Sequence, residues 1–317
     1  NLPFEAQGIQ AASVGNFAES SLNGDGLLYF YPPYFQIKSR PNIKIDALGY
    51  RNPRDLKANS DIDLVLLGDS VTIARGSDAD LGHFFRINGL DAFNFAMGGY
   101  SAAHYPLTLK KIIIDRKVRF KFLIIGVCLV NDIPNTQAYT DTEKLGGNYE
   151  VYLGRTGPSS RQVSSWSLAL IKSGILFIKD VYWDRRGSKK TAAAAGLYFA
   201  PPWKTANNVL GVPRFDTWRE DSPTWKNFIE ALRKTSKLAI DHGAQKVIFA
   251  LMPGSIEIYQ DHIKPEGHHK QKYLEDSREQ VRKISQKLSA KNVTVIDMTS
   301  PLREAAKTNT VSVDGDF

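Results

Sequence analysis

Three short stretches of the chain carry residues whose types could together do nucleophilic chemistry. In "DLVLLGDSVTIARG" the apolar run 64–67 stops at Gly68-Asp69-Ser70, and Gly76 follows. A glycine at a strand exit permits a tight turn, and a serine opening the next segment offers a hydroxyl and a backbone N–H to the space above a sheet. The same tripeptide fits an ordinary helix N-cap, with Asp69 or Ser70 accepting a backbone N–H. In "NFAMGGYSAAHYP", Gly98-Gly99 lets the backbone approach a ligand closely, and a glycine N–H is a good donor to a developing oxyanion. That pair also fits a plain turn. In "LIIGVCLVNDIPNT", Asn131 and Asp132 stop an apolar strand. An asparagine amide there could donate to an oxyanion, and Asn-Asp equally makes a turn. Each stretch is ambiguous alone. Combined, they would supply a hydroxyl nucleophile and the donors that hold the charge it creates.

The elements that must position these residues are legible as alternating patterns. Residues 64–67, 122–129 and 247–251 are continuous apolar runs, and 293–296 is a shorter alternating one. Continuous runs suit a parallel sheet covered on both faces. Between them, "DSPTWKNFIEALRKTSKLAIDHG" places Pro223 in a first turn after Ser222, aligns Trp225, Phe228, Ile229 and Leu232 on one face, and ends at Gly243. A second helix aligns Leu274, Val281, Ile284 and Leu288. The pattern predicts an α/β fold, a three-layer α/β/α sandwich with a mainly parallel central sheet. In such a sheet ligands bind beyond the carboxyl ends of the strands, where all three stretches fall.

Two regions stand outside that rhythm. Residues 1–60 are rich in aromatics, proline and glycine and read as an extension of short strands and turns packed on a core spanning 61–134 and 222–317. Residues 135–221 read as an insertion or lid, too long for a simple loop. It holds a Gly146-Gly147 turn and the apolar "WSLALIKSGILFIKDVYW". That stretch carries Lys172, Lys179 and Asp180, falls short of a bilayer span and reads as an amphipathic or buried helix. Tyr198, Phe199 and Trp203 would pack in a core or offer a stacking face to a sugar.

In order and separation, the three stretches resemble the SGNH/GDSL hydrolases, a family of esterases and acyltransferases. The resemblance covers roughly 60–134 and 222–317. It implies a flavodoxin-like SGNH hydrolase fold with Ser70 as nucleophile, and an oxyanion hole of the Ser70 N–H, the Gly99 N–H and the Asn131 amide. It implies two-step acyl transfer without a metal or organic cofactor, in which water or a sugar hydroxyl takes the acyl group from the serine. The implied substrate is a small ester or an acetylated glycan, and the implied setting is bacterial, exported to the periplasm or cell surface, with a membrane tether outside the sequence. A glycan O-acyltransferase and a noncatalytic carbohydrate-binding protein of the same fold are the alternatives.

The family carries its base late, as Asp-x-x-His or Asp-x-His, and the sequence here reads "VSVDGDF". Asp316 fits the shorter spacing if a histidine follows Phe317, whereas Asp314 does not. The carboxylate would hold the imidazole in the tautomer that accepts the serine proton. Both termini, at Asn1 and Phe317, read as cut from a longer chain. Among the histidines present, His104 follows the second stretch but has no acid at a matching spacing. His83 is the one before it in the chain, His242 lies near a helix C-terminus, His268-His269 begin a helix, and His262, His268 and His269 do not match a zinc-ligand spacing.

Composition narrows the classes further. The 317 residues are 42% hydrophobic and 23% charged, an ordinary globular balance, and the formal charge is +8. The basic residues are scattered and no nucleic-acid module accompanies them, so nucleic acid is not an expected partner. A single cysteine, Cys128, excludes an internal disulfide and a Cys-rich zinc site and reads as a small core residue. Asp69 is expected to bond backbone beside its turn. The oligomeric state is not encoded in any pattern of the sequence.

Overall fold

The computed structural model describes residues 28, 30, 31, 33, 34, 43–73, 79–147, 219–258 and 268–308. Five strands form one sheet: β1 (Asp61–Leu67), β2 (Ala92–Asn94), β3 (Arg119–Cys128), β4 (Lys246–Met252) and β5 (Val293–Asp297). Their spatial order is β2-β1-β3-β4-β5, and every pairing is parallel. The helices are α1 (Leu81–Ile87), α2 (His104–Thr108, continuing as a π-helical segment Leu109–Ile114), α3 (Leu129–Lys144), α4 (Pro223–Asp241), α5 (Ser255–Ile258), α6 (His268–Leu288) and α7 (Thr299–Thr308).

Alternation along the strands creates two apolar faces, because successive side chains point to opposite sides. Leu64 and Leu66 of β1, with Ala92 of β2, pack against Leu81 and Phe85 of α1. Val65 and Leu67 point the other way, into a larger core shared with Leu123, Ile125 and Val127 of β3 and with Phe228 and Leu232 of α4. Helices on both faces of a parallel sheet make the expected three-layer α/β/α sandwich, and the strand order is the flavodoxin-like one. Cys128 is buried, as a small core residue should be.

The two long helices follow their sequence signals. Ser222 caps α4 by accepting from the Trp225 N–H at 3.1 Å, Pro223 occupies the first turn, and Gly243 closes the end at φ +99°. Trp225, Phe228, Ile229 and Leu232 are all buried. On α6, Leu274, Ile284 and Leu288 are buried, with Val281 packed against the same core.

The chain after β3 departs from expectation. Asn131 and Asp132 do not sit in a turn: the strand passes from Cys128 directly into α3, which runs through Pro134 to Lys144 and ends at Gly146 and Gly147. Of the segment expected to be an insertion, residues 135–144 thus belong to a helix whose Ile133 and Tyr139 enter the main core. The stretch 166–183 and Tyr198, Phe199 and Trp203 lie outside the described residues. Among the described residues no helix is long and apolar enough to cross a membrane.

Candidate functional site

The strand order reverses between β1 and β3: the chain steps from β1 out to β2, then crosses back to β3 on the other side. The crevice beyond the carboxyl ends of such neighbouring strands is the usual ligand position in an open α/β sheet. Ser70 follows β1, Gly98 and Gly99 follow β2, and Asn131 follows β3.

Backbone pairing brings the first two together. The ladder between β1 and β2 extends past the strands, with the Phe95 N–H on the Leu66 carbonyl at 2.8 Å and the Met97 N–H on the Gly68 carbonyl at 3.2 Å. The chain then turns, with Tyr100 N–H on the Met97 carbonyl at 3.0 Å and Gly99 at φ +86°. A positive φ at the third residue of such a turn is the type II geometry that favours glycine. A Cβ built on Gly98 would stand 3.9 Å from the Ser70 Cβ, so this glycine turn lies against the serine. Ser70 itself is half-buried and opens a turn, Ser70–Ile73, closed by the Ile73 N–H on the Asp69 carbonyl at 3.1 Å.

Asp69 joins the first and third stretches. Its carboxylate accepts the Val71 N–H at 2.9 Å, the local backbone bond expected of it, and also the Asn131 amide at 3.2 Å. Burial pushes the Asp69 carboxyl above its ordinary range, opposed by the Val71 N–H, the Asn131 amide and the Thr72 N–H. Asn131 stands in the first turn of α3, half-buried. An asparagine amide has two N–H groups, so the bond to Asp69 uses one and leaves the donor count for a second.

Below the turn, Thr72 lies on two glycines. A Cβ on Gly68 or on Gly126 of β3 would come within 2.0 Å of the Thr72 Oγ1. Only residues without a side chain at the exit of β1 and the end of β3 let Thr72 sit down on the sheet there. Its hydroxyl is buried with no hydrogen-bond partner among the described residues.

Buried polar residues from distant segments hold the same turn, and the sequence patterns did not reveal them. Arg51 donates to the Ile73 carbonyl at 3.0 Å. Asn94 donates to the Thr72 carbonyl at 3.3 Å and to Asp80 at 3.0 Å. Asn52 accepts the Asn94 N–H at 2.7 Å and donates to the Asn94 carbonyl at 3.1 Å, as a neighbouring strand's peptide would, and is itself held by Asp46 at 2.8 Å. All five side chains are buried. Residues 46–52, read as part of an extension beside the core, therefore buttress the serine turn. The one available signal was Asn94, a polar residue closing an apolar strand.

His104 is no candidate base. It is fully buried, stacked on Tyr100 at 4.5 Å and edge-on to Tyr139 at 4.7 Å, and its Nδ1 accepts the Ser101 N–H at 3.0 Å. Burial lowers its pKa to about 3, so the ring stays neutral. His242 bonds the Val118 carbonyl at 2.9 Å, at the amino end of β3 and away from Ser70. Asp314 and Asp316 lie outside the described residues, as do Gly76, His262 and the side chains of His268 and His269. No group of three or more His, Cys, Asp or Glu among the described residues is arranged to hold a metal.

No protein-family model matches the chain, and no curated protein matches it. Among solved structures, a catalytic mutant of an acetylxylan esterase from Geobacillus stearothermophilus aligns over 80% of this chain and 84% of its own, with 12% sequence identity and a TM-score of 0.36.

Proposed function

We propose that this protein is a serine esterase of the SGNH type, with Ser70 attacking an ester carbonyl to form an acyl-enzyme that water hydrolyses. What supports the reading is one juxtaposition where the strand order switches between β1 and β3. Ser70 stands half-buried at the exit of β1, the Gly98-Gly99 turn packs against it, and Asn131 reaches the adjoining Asp69 from the exit of β3.

In this reading the Ser70 and Gly99 N–H groups and the Asn131 amide donate to the oxyanion as the tetrahedral intermediate forms. Asp69 does not touch the substrate; it ties the serine turn to α3. Asp316 is the carboxylate proposed to orient the imidazole base that takes the Ser70 proton on attack and returns it to the departing alcohol. The substrate proposed is an acetylated glycan or a similar small ester.

The test uses the full-length protein and p-nitrophenyl acetate. Wild type should turn over with a burst of acylation, and a fluorophosphonate should label Ser70. Ser70→Ala should abolish both while leaving the melting temperature nearly unchanged. Full activity in that variant, or label on another residue, would refute the assignment.

A further inference from the structure

We propose that Asp132 and Tyr105 form a buried positioning pair that sets the first turn of α3, and with it the amide of Asn131, against Asp69. The consequence for catalysis rests on the esterase reading; the placement of Asn131 does not.

No linker separates β3 from α3, and the N-cap residue Cys128 supplies no side-chain cap. Its backbone N–H donates instead to the Asp132 Oδ2 at 3.0 Å, so a carboxyl one turn into the helix reaches back to cap it. The same oxygen accepts the Tyr105 hydroxyl from α2 at 2.9 Å. Asp132 and Tyr105 are completely buried.

Two adjacent residues of one helical turn thus face different partners. Asp132 is fixed to α2 and to the end of β3, while Asn131 extends to Asp69 and the serine turn. Rotation of that turn about the helix axis would move both together. The two bonds to Asp132 therefore set where the Asn131 amide stands.

Asp132 carries out this role as a neutral acid. Its Oδ1 is buried and has no hydrogen-bond partner among the described residues. Burial, and then the nearby Asp69 carboxylate, push its carboxyl well above the ordinary range, against the Tyr105 hydroxyl and the Cys128 N–H. The titratable groups facing it are Tyr105 from α2 and Asp69 from the turn after β1. A neutral acid and an asparagine both keep an acceptor oxygen for the Tyr105 hydroxyl and the Cys128 N–H, the amide placing two N–H groups where the acid has one O–H. Asparagine should therefore preserve both bonds, and alanine should not.

The experiment compares Tyr105→Phe, Asp132→Asn and Asp132→Ala in the full-length protein. Turnover of p-nitrophenyl acetate is read as kcat and KM, and the Asn131 side-chain amide is followed by 1H–15N NMR. Tyr105→Phe and Asp132→Ala should lower kcat by roughly 10-fold or more, with KM within about twofold, because the lost placement matters when charge develops. Both should shift the Asn131 amide resonances. Asp132→Asn should hold kcat and those resonances near wild type. An unmoved Asn131 amide in Tyr105→Phe, or a loss in Asp132→Asn as large as in Asp132→Ala, would overturn the pair. If Asp132→Ala does not fold, the two conservative variants still decide. A wild type without Ser70-dependent turnover would sink the esterase reading, and the amide shifts alone would then judge the positioning.

Discussion

Gly126→Ala perturbs the site from the far side of Thr72. The new Cβ would stand 2.0 Å from the Thr72 Oγ1, 3.2 Å from its Cβ and 3.5 Å from its Cγ2, so only the hydroxyl is intolerably close. Restoring ordinary contact requires the hydroxyl to retreat by roughly 1 Å or more. Of the two other staggered rotamers, one puts the methyl in the hydroxyl's place, and the one that puts the hydrogen there still leaves the Thr72 Cβ at 3.2 Å, so rotation relieves the contact only in part. Nor can the backbone swing away freely: Asn94 holds the Thr72 carbonyl and Arg51 holds the Ile73 carbonyl. Overpacking of this kind costs about 1–3 kcal/mol. Gly to Ala in compatible backbone returns about 0.4–1 kcal/mol by restricting the unfolded chain. The net loss should be about 1–2 kcal/mol in urea unfolding. Ser70 lies two residues upstream in the same turn, and a shift near 1 Å should slow its acylation about 100-fold. Thr72→Ala removes the offending atom and should recover most of both losses in the Gly126→Ala background. It should fail to rescue Gly68→Ala, where the Thr72 Cβ itself stands 2.5 Å from the new methyl. Equal rescue at the two glycines, or no loss in Gly126→Ala, would refute this account of the turn.

Two further predictions concern pH. The raised Asp132 carboxyl means that the folded state keeps a proton the unfolded chain releases above about pH 4, so stability falls as pH rises from there toward the folded pKa, by up to about 1.4 kcal/mol per pH unit. Asp132→Asn removes that penalty, so its melting temperature should gain on wild type steadily with pH; a gap independent of pH would contradict the neutral acid. His104 has the opposite sign: with its folded pKa lowered to about 3, it contributes stability above about pH 6.5 that is lost on acidification below that. Imidazole 15N shifts should report a neutral ring at pH 5, and a midpoint near the free value would show that water reaches it.

How much of this was legible in the sequence depended on apolar pattern. β1, β3 and β4 announced themselves as unbroken runs, and α4 by a Ser-Pro start, a one-sided stripe and a closing glycine. The start of α3 was not legible because its buried face mixes Ile133 and Tyr139 with Thr136 and Thr142, which a polar-apolar reading counts as surface. Those hydroxyls are satisfied locally, Thr136 on the Asp132 carbonyl at 2.6 Å and Thr142 on the Ala138 carbonyl at 2.7 Å. Pro134 added a false stop. Ser70, Asn131 and the glycine turn could be found because strand ends can be found. Arg51, Asn52, Asn94 and Tyr105 could not, because a buried polar contact between distant segments leaves no periodic trace.

The strand order also has a kinetic side. The three strand exits that meet at Ser70 all come from one contiguous part of the chain, β1 through the start of α3, whereas β3 must wait for a distant partner: Phe122 pairs with Lys246 and Cys128 with Met252. Parallel pairing between remote segments forms slowly, since the loop must close before any contact repays it. Until β4 arrives, the longest strand of the sheet, "RFKFLIIGVC", presents an open apolar edge. Such an edge is a template for pairing with another chain. The nascent protein therefore assembles the arms of its candidate site early and stays exposed to intermolecular association until the second half docks.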